Sequence, residues 1–325
     1  MISPRIKFFT FVAFSVYMLA FADVDHSLEA QGSRTWTSDG WKIDRLIISP
    51  HKAHSDLLWP YSTEPEIFNS WDILSSEEKH YQSSDFLQIH QLEIQTTQKI
   101  SHQKSYFFNL GISQSSLQDN TTQTFGLLQL YYQQITGFGA FDASLSQKNI
   151  SNWIQGSTHW MQQNQAIELQ THLHYYPKEN LHWNSSFQQL WMTDGNQRHQ
   201  LTSEWMYGLS TSTPWIWIGP GFEFTQFQST DSNYWSPKKM LNYGLHLDAS
   251  MPLFSEKWTF IMGGSVHSLQ ENDSEVGHGH YVNFGISYGK RETQNASLKY
   301  EDIRSQQNSN TWESHAVLLQ WSWKY

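Results

Sequence analysis

The stretch Leu241-Asn242-Tyr243-Gly244-Leu245-His246-Leu247-Asp248-Ala249-Ser250-Met251 puts an apolar or aromatic residue at every second position, with polar or small residues between them. Successive side chains of a strand point to opposite faces, so a period of two describes a strand with one apolar and one polar side. The same alternation returns on both sides of this stretch. Upstream it runs through Tyr106, Phe108, Leu110 and Ile112, then Leu128, Leu130 and Tyr132, then Phe141, Ala143 and Leu145. Ile167, Leu169, Leu173 and Tyr175 follow, opposed by Glu168, Gln170, His172 and His174. Downstream it runs through Trp258, Phe260 and Met262, then Val282, Phe284, Ile286 and Tyr288, then Ala296, Leu298 and Tyr300 opposite Ser297, Lys299 and Glu301.

Further runs surround Phe86 to Ile94, Trp183 to Trp191, Leu201 to Leu209, and Ile216 to Phe224, where Pro220 is expected to mark a bulge. With a run around Trp153 to Met161 and the closing run from Val317 to Tyr325, the count is fourteen strands in residues 85–325; two more from residues 36–85 make sixteen. Each averages roughly ten residues, the length a tilted strand needs to cross a bilayer's hydrocarbon. Connections near 226–239, 268–279 and 302–313 are long and polar, and those near 252–256 and 289–294 are short, which is the alternation of a membrane barrel. The connection at 114–122 breaks the pattern, being long where a short periplasmic turn is expected.

Composition agrees. Sixteen Trp, fifteen Tyr and nineteen Phe sit in a chain whose mean hydropathy is −0.58. A barrel places aromatics outside at both membrane interfaces and polar residues inside, so half of each strand faces lipid although the chain is hydrophilic on average. A soluble β-sandwich also alternates, but it gives no reason for Glu168, Glu204 and Asp248 to stand opposite wholly apolar faces. The fold expected is all-β: an antiparallel transmembrane β-barrel.

The N-terminus supplies the compartment. Arg5 and Lys7 precede an apolar run from Phe8 to Leu19, and Ala20-Phe21-Ala22 offers a cleavage site, so residues 1–22 read as a signal peptide. The run is shorter than the ~20 residues of a spanning helix. Residues 23–84 carry Pro50, Pro60, Pro65 and acidic pairs, and read as a periplasmic lead-in or a segment packed at the barrel mouth. There is no cysteine, so stability must come from a large core or a membrane. The formal charge of −10 deepens once Arg5 and Lys7 leave, which argues against nucleic acid as a partner. The surroundings implied are the cell outer membrane of a Gram-negative bacterium and its lipid.

No motif in the chain makes a catalytic set. Gly285-Ile286-Ser287-Tyr288-Gly289 matches G-x-S-x-G, but that elbow needs a helix after the turn, and here another strand follows. His278-Gly279-His280 and the pair His172 and His174 lack the further ligands a metal site requires, and read as solvated loop and lumen residues. Neither metal nor cofactor is expected. The polar parity assigns Glu168, Glu204, His246, Asp248, Lys299 and Glu301 to the lumen, where the carboxylates set a mildly cation-favouring field that Lys299 partly offsets.

Tyr234-Trp235-Ser236-Pro237 closes a long loop and leads into the strand that opens this section. Taken alone it is a strand start whose aromatics sit in the outer girdle. Together with Lys238 to Gly244 it resembles the Y-x-S-P strand entry of bacterial exopolysaccharide-export proteins of the cellulose and poly-N-acetylglucosamine type. That resemblance implies export of a polysaccharide, with Tyr234 and Trp235 able to stack on sugars if they point inward. Members of that group carry a tetratricopeptide array before the barrel, and residues 23–84 are too short for an array of ~34-residue repeats. The function expected is a passage for a polar solute, with exopolysaccharide as candidate cargo; the alternative is a non-conducting barrel whose external loops bind a partner or surface. Val317, Leu319, Trp321, Trp323 and Tyr325 resemble the C-terminal signal read by the outer-membrane assembly machinery.

The signal peptide and the alternating strands together predict recovery in the outer-membrane fraction and slower gel migration after boiling than before. A soluble periplasmic product would overturn the barrel assignment.

Overall fold

The computed structural model describes residues 27–49 and 69–324, apart from 83–84, 118–120, 151–164, 231–233, 291–293, 308–309 and the single positions 39, 102, 211, 235 and 256. Sixteen strands follow one another: β1 (Ser27–Thr37), β2 (Trp41–Ser49), β3 (Asn69–Gln82), β4 (Asp85–Ser101), β5 (Lys104–Leu117), β6 (Thr122–Thr136), β7 (Gly139–Asn149) and β8 (Gln165–Lys178). The second half is β9 (Leu181–Met192), β10 (Gln197–Ser210), β11 (Trp215–Phe227), β12 (Met240–Pro252), β13 (Trp258–Glu271), β14 (Gly277–Lys290), β15 (Gln294–Gln307) and β16 (Asn310–Lys324).

Each strand pairs antiparallel with its sequence neighbours, and β1 pairs with β16, so the sheet closes into a barrel. In lipid no water can satisfy a free strand edge, and closure is the one way a sheet removes its edges. The even count puts both ends of the ladder at one rim, called here the lower rim. Six of its seven connections have five residues or fewer, the exception being 50–68. Short turns are the mark of the periplasmic side. The longer connections 150–164 and 228–239 lie at the upper rim.

The count is sixteen, the larger of the two expected, and the strands themselves differ from the expected ones in two places. Residues 23–84 contain β1, β2 and β3, so those stretches are wall rather than lead-in. The run expected around Trp153 to Met161 lies outside the described residues, and β7 pairs directly with β8, leaving no place for a strand between them. Removing that strand reverses the sidedness of everything before it. The connection after β5, residues 118–121, is then at the upper rim, where a longer loop belongs. The connections 272–276 and 308–309 keep their upper-rim position but are shorter than expected, because the strands run on above the apolar band. Residues 1–22, expected to be a signal peptide, and Tyr325 lie outside the described residues.

Pro220 does not mark a bulge. The β11–β12 register runs through Pro220↔Leu245 without a shift, and the one irregularity nearby is in β10, between Gly208 and Ser210. Pro220 lacks a donor and faces outward, and beside it Gly219 lies so close to β10 that a Cβ there would meet the Trp205 carbonyl.

Faces sort by parity. Leu110, Ile112, Val266 and Leu319 are more than half exposed on the outer surface. Aromatics ring this apolar band. At the lower rim Tyr106 packs on Tyr132 with centroids 5.0 Å apart, and Trp258 on Tyr288 at 4.6 Å; Trp191 and Tyr243 stand nearer the upper rim. Interfacial aromatics of this kind anchor a barrel at headgroup level.

Leu245 lies mid-strand in β12 on the outer face and is 47% exposed. Leu245→Arg is expected to cost about 2–4 kcal/mol of folding stability in lipid vesicles, the penalty for a lipid-facing arginine near the midplane. His246→Ala, on the lumen side, is expected to cost much less; denaturant titration of vesicle-embedded protein reads both.

Candidate functional site in the lumen

The inward residues form layers from the upper rim to the lower. The uppermost layer is apolar. Leu87 and Ile89 of β4, Ala166 of β8, Leu190 and Met192 of β9, and Phe227 of β11 join Ile150 and Tyr234 in one buried cluster, with Leu117 packed against it. β4 and β11 are seven strands apart, so this cluster bridges the upper mouth of that half of the barrel.

Tyr234 holds the loop between β11 and β12 in that mouth. Its hydroxyl donates to Asp194 Oδ2 at 2.8 Å and accepts from Asn196 Nδ2 at 2.7 Å. Ser236 Oγ donates to the Tyr234 carbonyl at 3.3 Å, and the Phe227 amide donates to the Pro237 carbonyl at 3.2 Å. Tyr234 is 7% exposed, so it is neither an outer-girdle ring nor a face open to a sugar, which corrects both expectations for it. Trp235 lies outside the described residues.

Beneath the apolar layer is a packed polar one. Lys148 Nζ donates to Glu168 Oε2 at 2.5 Å, Gln188 donates to the same carboxylate, and Arg198 donates to Gln188. Glu168 is therefore inward, as its parity implied, but buried and apart from the other lumen candidates. Asn149 reaches from β7 across to Ser115 of β5 at 2.8 Å.

A hydrogen-bonded belt follows at mid-height. Asp142 of β7 meets His172 at 2.8 Å, His174 Nδ1 lies 3.0 Å from Asn184 Oδ1, and Asn184 stands opposite Glu204 in the β9–β10 register. His246 Nδ1 lies 3.1 Å from Glu204 Oε1. This last contact spans β11, and it is possible because Gly221 leaves room: a Cβ there would collide with the His246 ring. The Asp248 carboxylate lies over Gly263 in the same way, next to Asn283. Lys299 Nζ meets Glu301 Oε1 at 2.8 Å, and the Tyr281 hydroxyl donates to Glu301 at 3.1 Å. The structure thus brings Glu204, His246, Asp248, Lys299 and Glu301 together on one wall, β10 to β15, where Lys299 and His246 are more than a third exposed. Ser287 lies mid-strand on the inward parity of β14, with β15 after it and no helix among the described residues. His278 and His280 lie on the outward parity of β14 near the upper rim, not in a loop or the lumen.

Near the lower rim stands a group that parity missed. Trp217 of β11 faces inward and stacks on His182 of β9, with centroids 3.8 Å apart and planes 23° from parallel. Tyr176 of β8 meets the same imidazole edge-on, with centroids 4.5 Å apart and planes at 89°. Trp215-Ile216-Trp217-Ile218 is apolar on both faces, so its period carries no information about which side is inward. The available signal was register: Trp217 shares parity with Gly221 and Glu223.

Comparison with known proteins follows the fold. No family model matches the sequence, and no curated protein does. Among solved structures the chain is similar to a bacterial polysaccharide outer membrane secretin, with a TM-score of 0.68, 11% identity, and coverage of 93% of this chain and 100% of that one. It also matches the outer membrane protein OpdK from Pseudomonas aeruginosa at a TM-score of 0.49, with 8% identity over 93% of this chain and 99% of that one. The fold is that of an outer-membrane β-barrel.

Removing the Tyr234 hydroxyl deprives Asp194 and Asn196 of a shared partner. Tyr234→Phe is expected to cost about 1–2 kcal/mol, and Tyr234→Ala about 3–5 kcal/mol as the ring's cavity is added. Protease nicking within residues 228–239 should quicken in the same order.

Proposed function

We propose that this barrel is a passage for a polar solute across the outer membrane, with polysaccharide as the cargo. The observation that carries this reading is the water-accessible wall of Glu204, His246, Asp248, Lys299 and Glu301, set inside a barrel whose outer surface is apolar. A polymer of hydroxyl-bearing units needs a track of donors and acceptors that trade places as it moves, and this wall offers both. Carboxylates outnumber fixed cations along it, so the field favours cations and neutral solutes over anions. The likeness to a polysaccharide secretin supports the same cargo class. Sixteen-stranded barrels are wide enough to hold an aqueous channel.

The second reading is a barrel closed at rest that engages a partner through its upper loops. The apolar layer around Leu87, Leu190 and Tyr234 favours it, because an apolar constriction excludes water from the part of the mouth it covers.

Two measurements decide between these readings. A deletion strain should retain polymer in the periplasm and show less at the surface, and the purified protein in a planar bilayer should conduct ions with a preference for cations. Glu204→Gln combined with Asp248→Asn should reduce that preference. Normal surface polymer together with ordinary ion conductance would point to a small-solute porin, and absence of conductance with normal polymer to the closed, partner-binding barrel.

A further inference from the structure

On the outer face of β2 the apolar side chains reach up to Leu46, and the next outward positions toward the upper rim, Asp44 and Lys42, carry charge. Side chains just above the apolar band of a barrel stand at headgroup height. Arg34 of β1 forks onto Asp44, with Nε donating to Oδ1 at 2.6 Å and Nη2 to Oδ2 at 2.8 Å. Lys79 of β3 meets Glu77 at 2.8 Å, and Gln88 of β4 donates to the same carboxylate at 2.5 Å. In both ion pairs the cation is the outer member. Arg34 is 68% exposed against 32% for Asp44, and Lys79 34% against 12% for Glu77. Lys42 is exposed and has no ion pair among the described residues. The patch therefore presents three cations and holds two carboxylates beneath them. Trp36 and Tyr81, the two cross-strand partners of Lys42, share its outward face, as interfacial aromatics do.

Directly below Arg34 the wall is hollowed. Gly32 is the next outward residue of β1, and Ala30 follows it. In register Gly32 lies between Leu319 of β16 and Leu46 of β2, both exposed on the outer face. A Cβ on Gly32 would meet nothing within 4 Å, so the space between the leucines is open. Strands two apart in a sheet are separated by about 9.5 Å, which leaves room for one hydrocarbon chain. A polar solute suits the cations but not the furrow, and a neutral lipid suits the furrow but not the cations. An amphiphile with an anionic head suits both. Phosphate oxygens in particular match a guanidinium flanked by two ammonium groups, since Asp44 takes two of the five guanidinium N–H groups.

We infer that Arg34, Lys42 and Lys79, above the Gly32 furrow, form a binding site for a phosphate-bearing lipid of the outer leaflet, of the diphosphorylated glycolipid (lipid A) class. The site lies against the β1–β16 seam, so the bound lipid covers the place where the sheet closes. It is independent of what passes through the lumen.

The test uses the full chain in detergent micelles, with binding followed by microscale thermophoresis. The ligands are diphosphorylated lipid A, the same lipid with both phosphates removed, and inorganic phosphate. Lipid A should bind at least tenfold more tightly than its dephosphorylated form, and inorganic phosphate should bind far more weakly than either. Arg34→Gln, Lys42→Gln and Lys79→Gln combined should weaken lipid A binding at least tenfold. Gly32→Leu, which fills the furrow and leaves the cations in place, should weaken it at least threefold. Lys104→Gln, on the outer face at the lower rim, should stay within twofold of wild type. Slower migration after boiling shows that each variant is folded. Should the triple variant fail to fold, Lys42→Glu, which breaks neither ion pair, should weaken lipid A binding at least fivefold. Equal binding of the two lipids, or lipid A binding unchanged in the folded cation variants, overturns the site. Inorganic phosphate binding as tightly as lipid A, with Gly32→Leu without effect, overturns the lipid and leaves a plain anion site.

Discussion

Every backbone N–H and C=O that enters a bilayer must find its partner within the protein, because an unsatisfied one costs several kcal/mol in hydrocarbon. The seam between β1 and β16 is where this chain meets that requirement: eleven residue pairs, from Ser27↔Lys324 to Thr37↔Ser314, join the two ends of the sheet. The remaining features depend on it. Without β1 to β3, β16 and β4 would each present a bare edge to lipid, so residues 27–82 are needed for the structure to exist in a membrane at all. The aromatic, outward-facing character of the closing strand belongs to the same requirement, since Leu319 and its neighbours meet lipid on one face while their backbone pairs on both sides.

Once the sheet is closed, each inward side chain competes for space with those of the adjacent strands, and glycine settles the competition on the β11–β14 wall. His246 lies across Gly221, Asp248 across Gly263, and the His267 ring against Gly279. Large polar groups therefore lie along the wall instead of projecting to the axis, and they gain cross-strand partners two strands away. Any side chain at Gly221 would force His246 off Glu204, so the belt depends on residues that make no hydrogen bond themselves. The opposite arrangement holds between β4 and β9, where Leu87, Leu190 and Glu168 project, pack and are buried.

Legibility of the sequence followed what each face touches. Along residues 241–251 the outer face meets only lipid, so alternation was complete and the inward set of Asn242, His246 and Asp248 could be read directly. In β1 to β3 the outer face rises above the apolar band, and there it carries ions: Arg34 pairs with Asp44 at 2.6 Å, and Lys79 with Glu77 at 2.8 Å. Those charges sit where apolar residues were sought, so two strands in residues 36–85 were offered only as an extension of the count to sixteen, and β1 was not read. The strand expected near Trp153 had aromatic content without a settled parity and has no place in the wall between β7 and β8, and counting it there produced the misplaced connection after β5. For the lumen, parity located Glu204, His246, Asp248, Lys299 and Glu301 but was blind to depth, to the isolation of Glu168, and to Trp217, whose strand is apolar on both faces. Tyr234 was misjudged for another reason: a loop's fold-back is set by distant partners such as Asn196, which no local pattern encodes.

The two halves of the lumen impose a direction on any passage. Between β4 and β11 the upper mouth is filled by the apolar cluster and by the layer around Glu168, so a hydrated solute would have to strip its water and break buried bonds to move there. Along β10 to β15 side chains such as His246, Glu204, Lys299 and Glu301 are partly exposed, and the wall runs from Trp217 and Asp248 near the lower rim up to His246 and Glu204. A solute's least costly route is therefore off-centre, against this wall. That geometry also gives the Tyr234 loop a consequence beyond anchoring. It springs from β11 and returns into β12, two strands of the exposed wall, and its ring is bound to the β9–β10 turn through Asp194 and Asn196. A movement of this loop would reach the packed half and the hydrated half together, because one tyrosine ties the edge of the track to the layer that closes its neighbour.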